Sequence, residues 1–323
     1  MLHQSTKALI REARKTPGYS LFDFLHGYFY GRWPYFYIAV GTGEHRLTKV
    51  VKPVYEVVSK LLHAGEHSRR KVGSRQYGAR SDGGERITFA DTYHGKVVPL
   101  NAAAQLVTVN RDVSLTELEH VIPYATARDI VLKNPDHIAV LQCPCRSARK
   151  NPCTPLDVCI VVGEPFASFV LEHNPERSRR ITSAEAVEIL RQEDARGHVH
   201  HAFFKDAMLG RFYAICNCCK CCCGAMQAHR HGTPMLASSG YLPRVDLHLC
   251  KACGTCAKYC QFDAIRFING IKSIAVERCM GCGVCVSKCK QSAVTLERES
   301  TKGMPLEIAE LLQRAAAQEE GRT

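Results

Sequence analysis

The sequence predicts an α+β protein in which a small C-terminal domain organised by cysteines is appended to a larger mixed α/β domain. Three observations predict it. All 18 cysteines lie beyond residue 142, in tight groups. Two of these groups are copies of one another, 29 residues apart, beginning at Cys250 and Cys279. Between residues 91 and 240, short apolar runs that read as strands alternate with segments that read as capped helices. The length of 323 residues fits two or three domains. Composition divides it into a basic, aromatic-rich region at 1–90, a Cys-rich α/β domain at 91–240, a repeat domain at 241–298 and a helical tail at 299–323.

The first region supplies much of the net charge of +12: residues 1–86 hold 15 Lys and Arg against 7 Asp and Glu. A basic surface of this kind suits an anionic partner, such as an acidic redox protein, a membrane surface or a nucleic acid. Within it, Leu21–Gly43 is crowded with aromatics, from Tyr28 to Tyr37. Such a stretch suits a membrane interface, but docking on the rest of the protein is the favoured expectation. The following "VVKPVYEVVSKLLHAG" has helical spacing, and His67–Arg86 reads as an exposed basic loop. The N-terminus lacks an apolar signal core, and no run of apolar residues is long enough to span a bilayer. A cytoplasmic location is expected, with contact to a membrane complex through the N-terminal region as an addition.

In the middle domain, Ser114-Leu-Thr-Glu117 reads as a capping box opening a helix that Pro123 bends or ends. "HIAVLQC" (137–143) and "DVCIVVG" (157–163) read as buried strands. Thr182-Ser-Ala-Glu185 caps a helix that Gly197 ends, and "HVHHAFF" follows as a strand. This helix and strand on a basic chain hint at a DNA reader, but a single such unit makes nucleic acid an unfavoured partner. In the tail, Leu306, Ile308, Ala309, Leu311 and Leu312 form the apolar side of a helix starting at Pro305.

The repeat carries the chemistry. "CKACGTCAKYC" and "CMGCGVCVSKC" both have the spacing C-x2-C-x2-C-x3-C. This is the ligand spacing of paired [4Fe–4S] clusters, in which the fourth Cys of each run serves the other cluster. One cluster is assigned to Cys250, Cys253, Cys256 and Cys289, and the other to Cys279, Cys282, Cys285 and Cys260. Zinc fits less well, because the third and the crossed fourth Cys exceed what tetrahedral zinc needs. Asn269-Gly270 between the halves suits a two-residue hairpin turn. On these residues, 241–298 resembles a bacterial two-[4Fe–4S] ferredoxin domain. The resemblance implies a pseudo-symmetric ferredoxin-like fold and one-electron transfer. The chain departs from that family at Gln261 and Lys290, where Pro usually follows the fourth Cys.

Ten cysteines remain. Cys143, Cys145, Cys153 and Cys159 have C-x-C-x7-C-x5-C spacing, a complete ligand set in one loop, with Arg146 beside it to offset negative charge. Cys216, Cys218, Cys219, Cys221, Cys222 and Cys223 crowd into "CNCCKCCCG". A cubane takes four ligands, so six adjacent thiols either bind one cluster and leave two spare or share ligands with the first group. One or two further iron–sulfur clusters are expected, two being the economical total, with a non-cubane or site-differentiated cluster as the alternative. His198, His200, His201, His229 and His231 flank this block as candidates for a single histidine ligand. The order C-P-C-R … C … C … C-N-C-C-x-C-C-C-G upstream of the repeat resembles anaerobe-type multi-cluster iron–sulfur proteins, and that resemblance implies electron transfer or a cluster-based reductase role. No P-loop, c-type haem motif or complete G-x-G-x-x-G is present. Electrons are therefore expected to enter and leave through partner proteins, a flavoprotein or other oxidoreductase, or through a substrate at an exposed cluster. The expected function is an electron-transfer protein or subunit; the alternative is a reductase whose unusual cluster acts on a small substrate.

Overall fold

The computed structural model describes residues 2–49, 92–116, 118–124, 129–268 and 271–320. Helices α1 (Gln4–Lys15), α2 (Leu21–Arg32) and α3 (Pro34–Gly41) come first. An α/β body follows: β1 (Tyr93–Val98), α4 (Leu100–Thr108), β2 (Val113–Leu115), β3 (Ile130–Gln142), α5 (Pro144–Ser147), β4 (Asp157–Glu164), α6 (Phe166–His173) and β5 (Ser178–Ile181). It continues through α7 (Ser183–Arg196), β6 (Val199–Lys205), β7 (Arg211–Cys218), α8 (Gly224–Arg230) and β8 (Leu236–Ala237). A smaller unit is built from β9 (Tyr241–Val245), α9 (Thr255–Lys258), β10 (Ile265–Ile268), β11 (Ile271–Ile274), α10 (Val284–Ser287) and β12 (Val294–Arg298). The tail helix is α11 (Ile308–Glu320). The architecture is the mixed α+β one expected.

The body is an eight-stranded sheet in the order β2-β3-β4-β7-β6-β1-β8, with β5 added on β3. All its ladders are antiparallel except β1 with β8. Successive side chains alternate between faces, so one sheet builds two cores. One face carries Val97, Val161, Phe203 and Ala214 together with Cys159 and Cys218, covered by α1, α2, α3, α6 and α8. The other carries Val98, Ile160, Ala202, Phe204 and Ile215, covered by α4, α7 and α11. The cysteines belong to the first face.

Two sequence expectations meet the structure differently. Thr182 caps α7 by accepting from Glu185 N–H at 3.2 Å, and Gly197 ends it in the left-handed region. Ser114, by contrast, opens no helix. Val113 and Leu115 are buried on alternate positions of β2 and pair with Leu132 and Ile130 of β3. Two-residue periodicity against a neighbouring strand outweighs the capping signal here. The helix expected in "VVKPVYEVVSKLLHAG", the basic loop 67–86 and the turn Asn269-Gly270 lie outside the described residues. The strands flanking that turn do pair, Ile268 opposite Ile271.

The aromatic stretch docks on the body. Ser20 and Asp23 form a reciprocal capping box that starts α2. Its buried side is Gly27 and Gly31, one helical turn apart. A Cβ on Gly27 would stand 1.9 Å from Ala207 O, and one on Gly31 2.8 Å from the Phe169 ring. Only residues without side chains allow so close an approach. The opposite side leaves Leu21, Leu25, Phe29 and Trp33 exposed as a stripe. No helix among the described residues is long and apolar enough to cross a membrane.

Candidate metal centres

In the smaller unit the 29-residue repeat is a repeat of backbone. Gly254 and Gly283 both precede four-residue helices with φ near +80° (75° and 85°). Asp263 and Ser292 both have φ of 50°. Ala264 N–H donates to Cys260 Sγ and Ala293 N–H to Cys289 Sγ, each at 3.3 Å. Cys260, Cys279, Cys282 and Cys285 line one small cavity, walled by Phe262, Met280 and Val284. Cys250, Cys253, Cys256 and Cys289 line a second of similar size. The two halves face different surroundings. Met280, Val284, Phe262 and Cys279 belong to the same core as the body's Cys-bearing face, so the first cavity is the inner one. Cys253 of the outer set is exposed. At the matching positions Ala252 and Gly281, both with positive φ, only the inner one is crowded: a Cβ on Gly281 would stand 2.2 Å from Tyr241 O.

The ten upstream thiols divide into two sets, each drawing on both loops. Cys153 joins Cys219, Cys221 and Cys222, with all four sulfurs within 4.8 Å of one another. The other six stand as neighbours in a ring. It runs from Cys216 past Cys159, Cys143, Cys145 and Cys223 to Cys218, which comes back beside Cys216. The thiols of the two loops are interleaved in both sets.

Two polar residues fix this geometry. Asn217 points to the sheet face opposite Cys216 and Cys218, donates to Val158 O at 2.7 Å and contacts His200 Nδ1 at 2.6 Å. It thereby registers β7 against the residue before Cys159. Arg146, 1% exposed, donates to Pro155 O at 2.5 Å, to Asn217 O at 3.0 Å and to Glu193 Oε2 at 2.5 Å. His198 Nδ1 meets the same carboxylate at 2.6 Å. The arginine expected to offset charge is thus paired with a buried carboxylate, and it pins the Cys143–Cys159 loop to α7. His198 and His200 belong to this polar network. His201 stands opposite Cys216 in the β6–β7 ladder, fully buried, with no hydrogen-bond partner at either ring nitrogen among the described residues.

Crowding and burial govern the thiols. A hydrogen bond with Cys145 and burial push Cys143 up to about 12, against a bond with Cys159 that pulls the other way. The bond to Cys223 lowers Cys218, but burial prevails and brings it to about 12. Such thiols part with their protons when a cation compensates them. Cys221 is the exception. Burial raises it, but bonds with Cys153, Cys219 and Cys222 hold it below the ordinary thiol value.

Beside the ring lies a group that the sequence did not announce. Tyr30 and Tyr213 share a hydroxyl contact of 2.8 Å, and burial raises both, with the nearby charge of Cys216 adding to it. Tyr35 donates to Gln142 O at 3.0 Å, next to Cys143. Lys205 Nζ lies about 5 Å above the rings of Tyr30, Tyr37 and Tyr93 (5.1, 5.3 and 5.0 Å). Burial pushes this ammonium down to about 7. The signal available in sequence was the run of hydroxylated aromatics in α2 and α3, but Lys205 and Tyr213 come from strands far along the chain.

The quartet also touches the smaller unit. Lys220, between Cys219 and Cys221, donates its backbone N–H to Gln261 Oε1 at 3.0 Å and its ammonium to Asp263 at 2.7 Å. Gln261 donates onward to Gly197 O at 2.8 Å. The Gln that replaces the usual Pro is therefore a bridge from the fourth Cys of the first run to the body. Lys290, its counterpart, is exposed.

Comparison with protein families matches residues 242–290 to the 4Fe-4S dicluster domain. Comparison with curated proteins gives no match. The chain carries a dicluster iron–sulfur domain joined to a body with ten further thiols in two sets.

Proposed function

We propose that the protein carries single electrons through iron–sulfur clusters between redox partners. Electrons enter at the outer dicluster set (Cys250, Cys253, Cys256 and Cys289), pass to the inner set (Cys279, Cys282, Cys285 and Cys260), and reach a further cluster on the ring of six thiols. One observation carries this reading. Cys279 of the inner set and Cys143, Cys159, Cys218 and Cys223 of the ring share one hydrophobic core, which supports a path from the exposed Cys253 to the buried Cys159. The donor is a redox protein, a flavoprotein or another oxidoreductase, and the basic surface favours an acidic one. The exposed stripe of α2, beside Arg32, suits a membrane complex on the cytoplasmic side.

Freeze-quench EPR after anaerobic mixing with a reduced donor tests the order of transfer. In wild type, dicluster signals rise first and a third cluster follows. In Cys282→Ser the third cluster stays oxidised over the same interval. A third cluster reduced equally fast in both proteins overturns the sequence of sites.

A second reading, a reductase acting on a small substrate at the ring, rests on a separate observation. The ring offers six thiols where a cubane uses four. Lys205, Tyr30 and Tyr213 lie on its flank as buried proton donors. A third-cluster EPR signal that changes shape with an added small molecule would favour this reading.

A further inference from the structure

The set Cys153, Cys219, Cys221 and Cys222 differs from the other cysteine sets in its spacing. Cys153 and Cys221 sulfurs are 3.1 Å apart, Cys219 and Cys153 3.7 Å, and Cys222 and Cys221 3.8 Å. All four lie within 4.8 Å of one another. Four sulfurs bound to a single tetrahedral ion at about 2.3 Å stand about 3.8 Å apart. Four sulfurs bound to the corners of a cubane point away from one another and stand on the order of 6 Å apart. The dicluster unit provides a measure within the same molecule, since its two sets surround cavities. Among the described residues no other Cys, His, Asp or Glu ligand atoms gather in threes or more at so short a range, the dicluster sets included.

We propose that these four thiols bind one tetrahedral thiophilic ion, zinc(II) or iron(II), and not an iron–sulfur cluster. Binding releases the thiol protons, and four thiolates on a divalent ion leave a net charge of −2. Cationic side chains border the site, each also paired with a carboxylate: Arg149 donates to Cys222 O at 3.1 Å and pairs with Glu44, and Lys220, inside the loop itself, pairs with Asp263. Four protein sulfurs close the coordination sphere, which is the pattern of a structural site. The ion ties the 219–222 turn to the Cys153 loop, and Lys220 carries that tie on to Gln261 and Asp263 of the dicluster unit. It acts as a staple between the two units.

Elemental and acid-labile sulfide analysis of the full chain, purified anaerobically, tests this. The double variant Cys153→Ala/Cys221→Ala is expected to lose one metal ion per chain, with sulfide and the dicluster EPR signal unchanged. The element that leaves distinguishes zinc from iron. Loss of about four irons with four sulfides assigns a cubane and overturns the proposal, as does loss of no metal. A second arm uses the wild-type chain alone, so that a folding defect in the variant does not decide the matter. Exchange with cobalt(II) is expected to give the intense visible d–d bands of tetrahedral cobalt thiolate at one equivalent. Their absence overturns the proposal as well.

Discussion

Glu193 is fully buried beside a buried arginine, and each makes the other tolerable. Burial raises the carboxyl, but the His198 bond and the Arg146 charge outweigh it and hold Glu193 below the ordinary carboxylate value. Because the folded value is the lower one, the stabilisation is complete above the unfolded value of about 4.3. It is lost as pH falls below that, through the folded value. Removing one partner of such a pair strands the other. Glu193→Gln is therefore expected to destabilise the protein by about 3–5 kcal/mol, read by anaerobic denaturant unfolding at neutral pH. The double change Arg146→Met/Glu193→Leu should recover most of the loss. A Glu193→Gln variant within about 0.5 kcal/mol of wild type would show that the pair does not hold the Cys143–Cys159 loop. Arg146 was visible in the sequence as a cation beside cysteines. Its partner was not, because Glu193 lies 47 residues on and looks like any polar residue of an amphipathic helix.

Elements with local signals were readable in advance, and those decided by distant pairing were not. Strands β3, β4 and β6 showed in their apolar runs, and α7 in its cap and terminal glycine. The strand at Val113–Leu115 did not, because β3 decides it across the chain. The dicluster repeat was legible because all its ligands fall within one short segment at fixed spacing. The division of the other ten thiols was not, since it depends on where β7 ends and its turn begins. Cys216 and Cys218 stay on the sheet face, while Cys219, Cys221 and Cys222 turn towards Cys153. The repeat itself yields a prediction. Gly281 and Ala252 occupy equivalent positions, but only Gly281 is pressed against Tyr241 and Ser239. Gly281→Ala is expected to lower stability by roughly 1–3 kcal/mol through overpacking. Ala252→Gly should change it by no more than about 1 kcal/mol. Equal effects in thermal melts of the two variants would contradict an inner and an outer half.

For the whole molecule, charge and shape bear on different steps. On the proposed function, the polypeptide's formal charge of +12, lowered by the thiolates of each filled site, favours encounter with an acidic donor, and salt screens such steering beyond about 10 Å at 0.1 M. The second-order rate of reduction by an acidic donor is expected to fall about tenfold or more as ionic strength rises from low to physiological. Transfer within the chain should not change. A rate independent of salt would remove charge as the guide. The shared core has a consequence for how the protein is made. Phe262, Met280 and Val284 wall the inner ligand set and also belong to the body's core. On the proposed function, filling that set and seating the smaller unit on the body are then coupled steps in maturation.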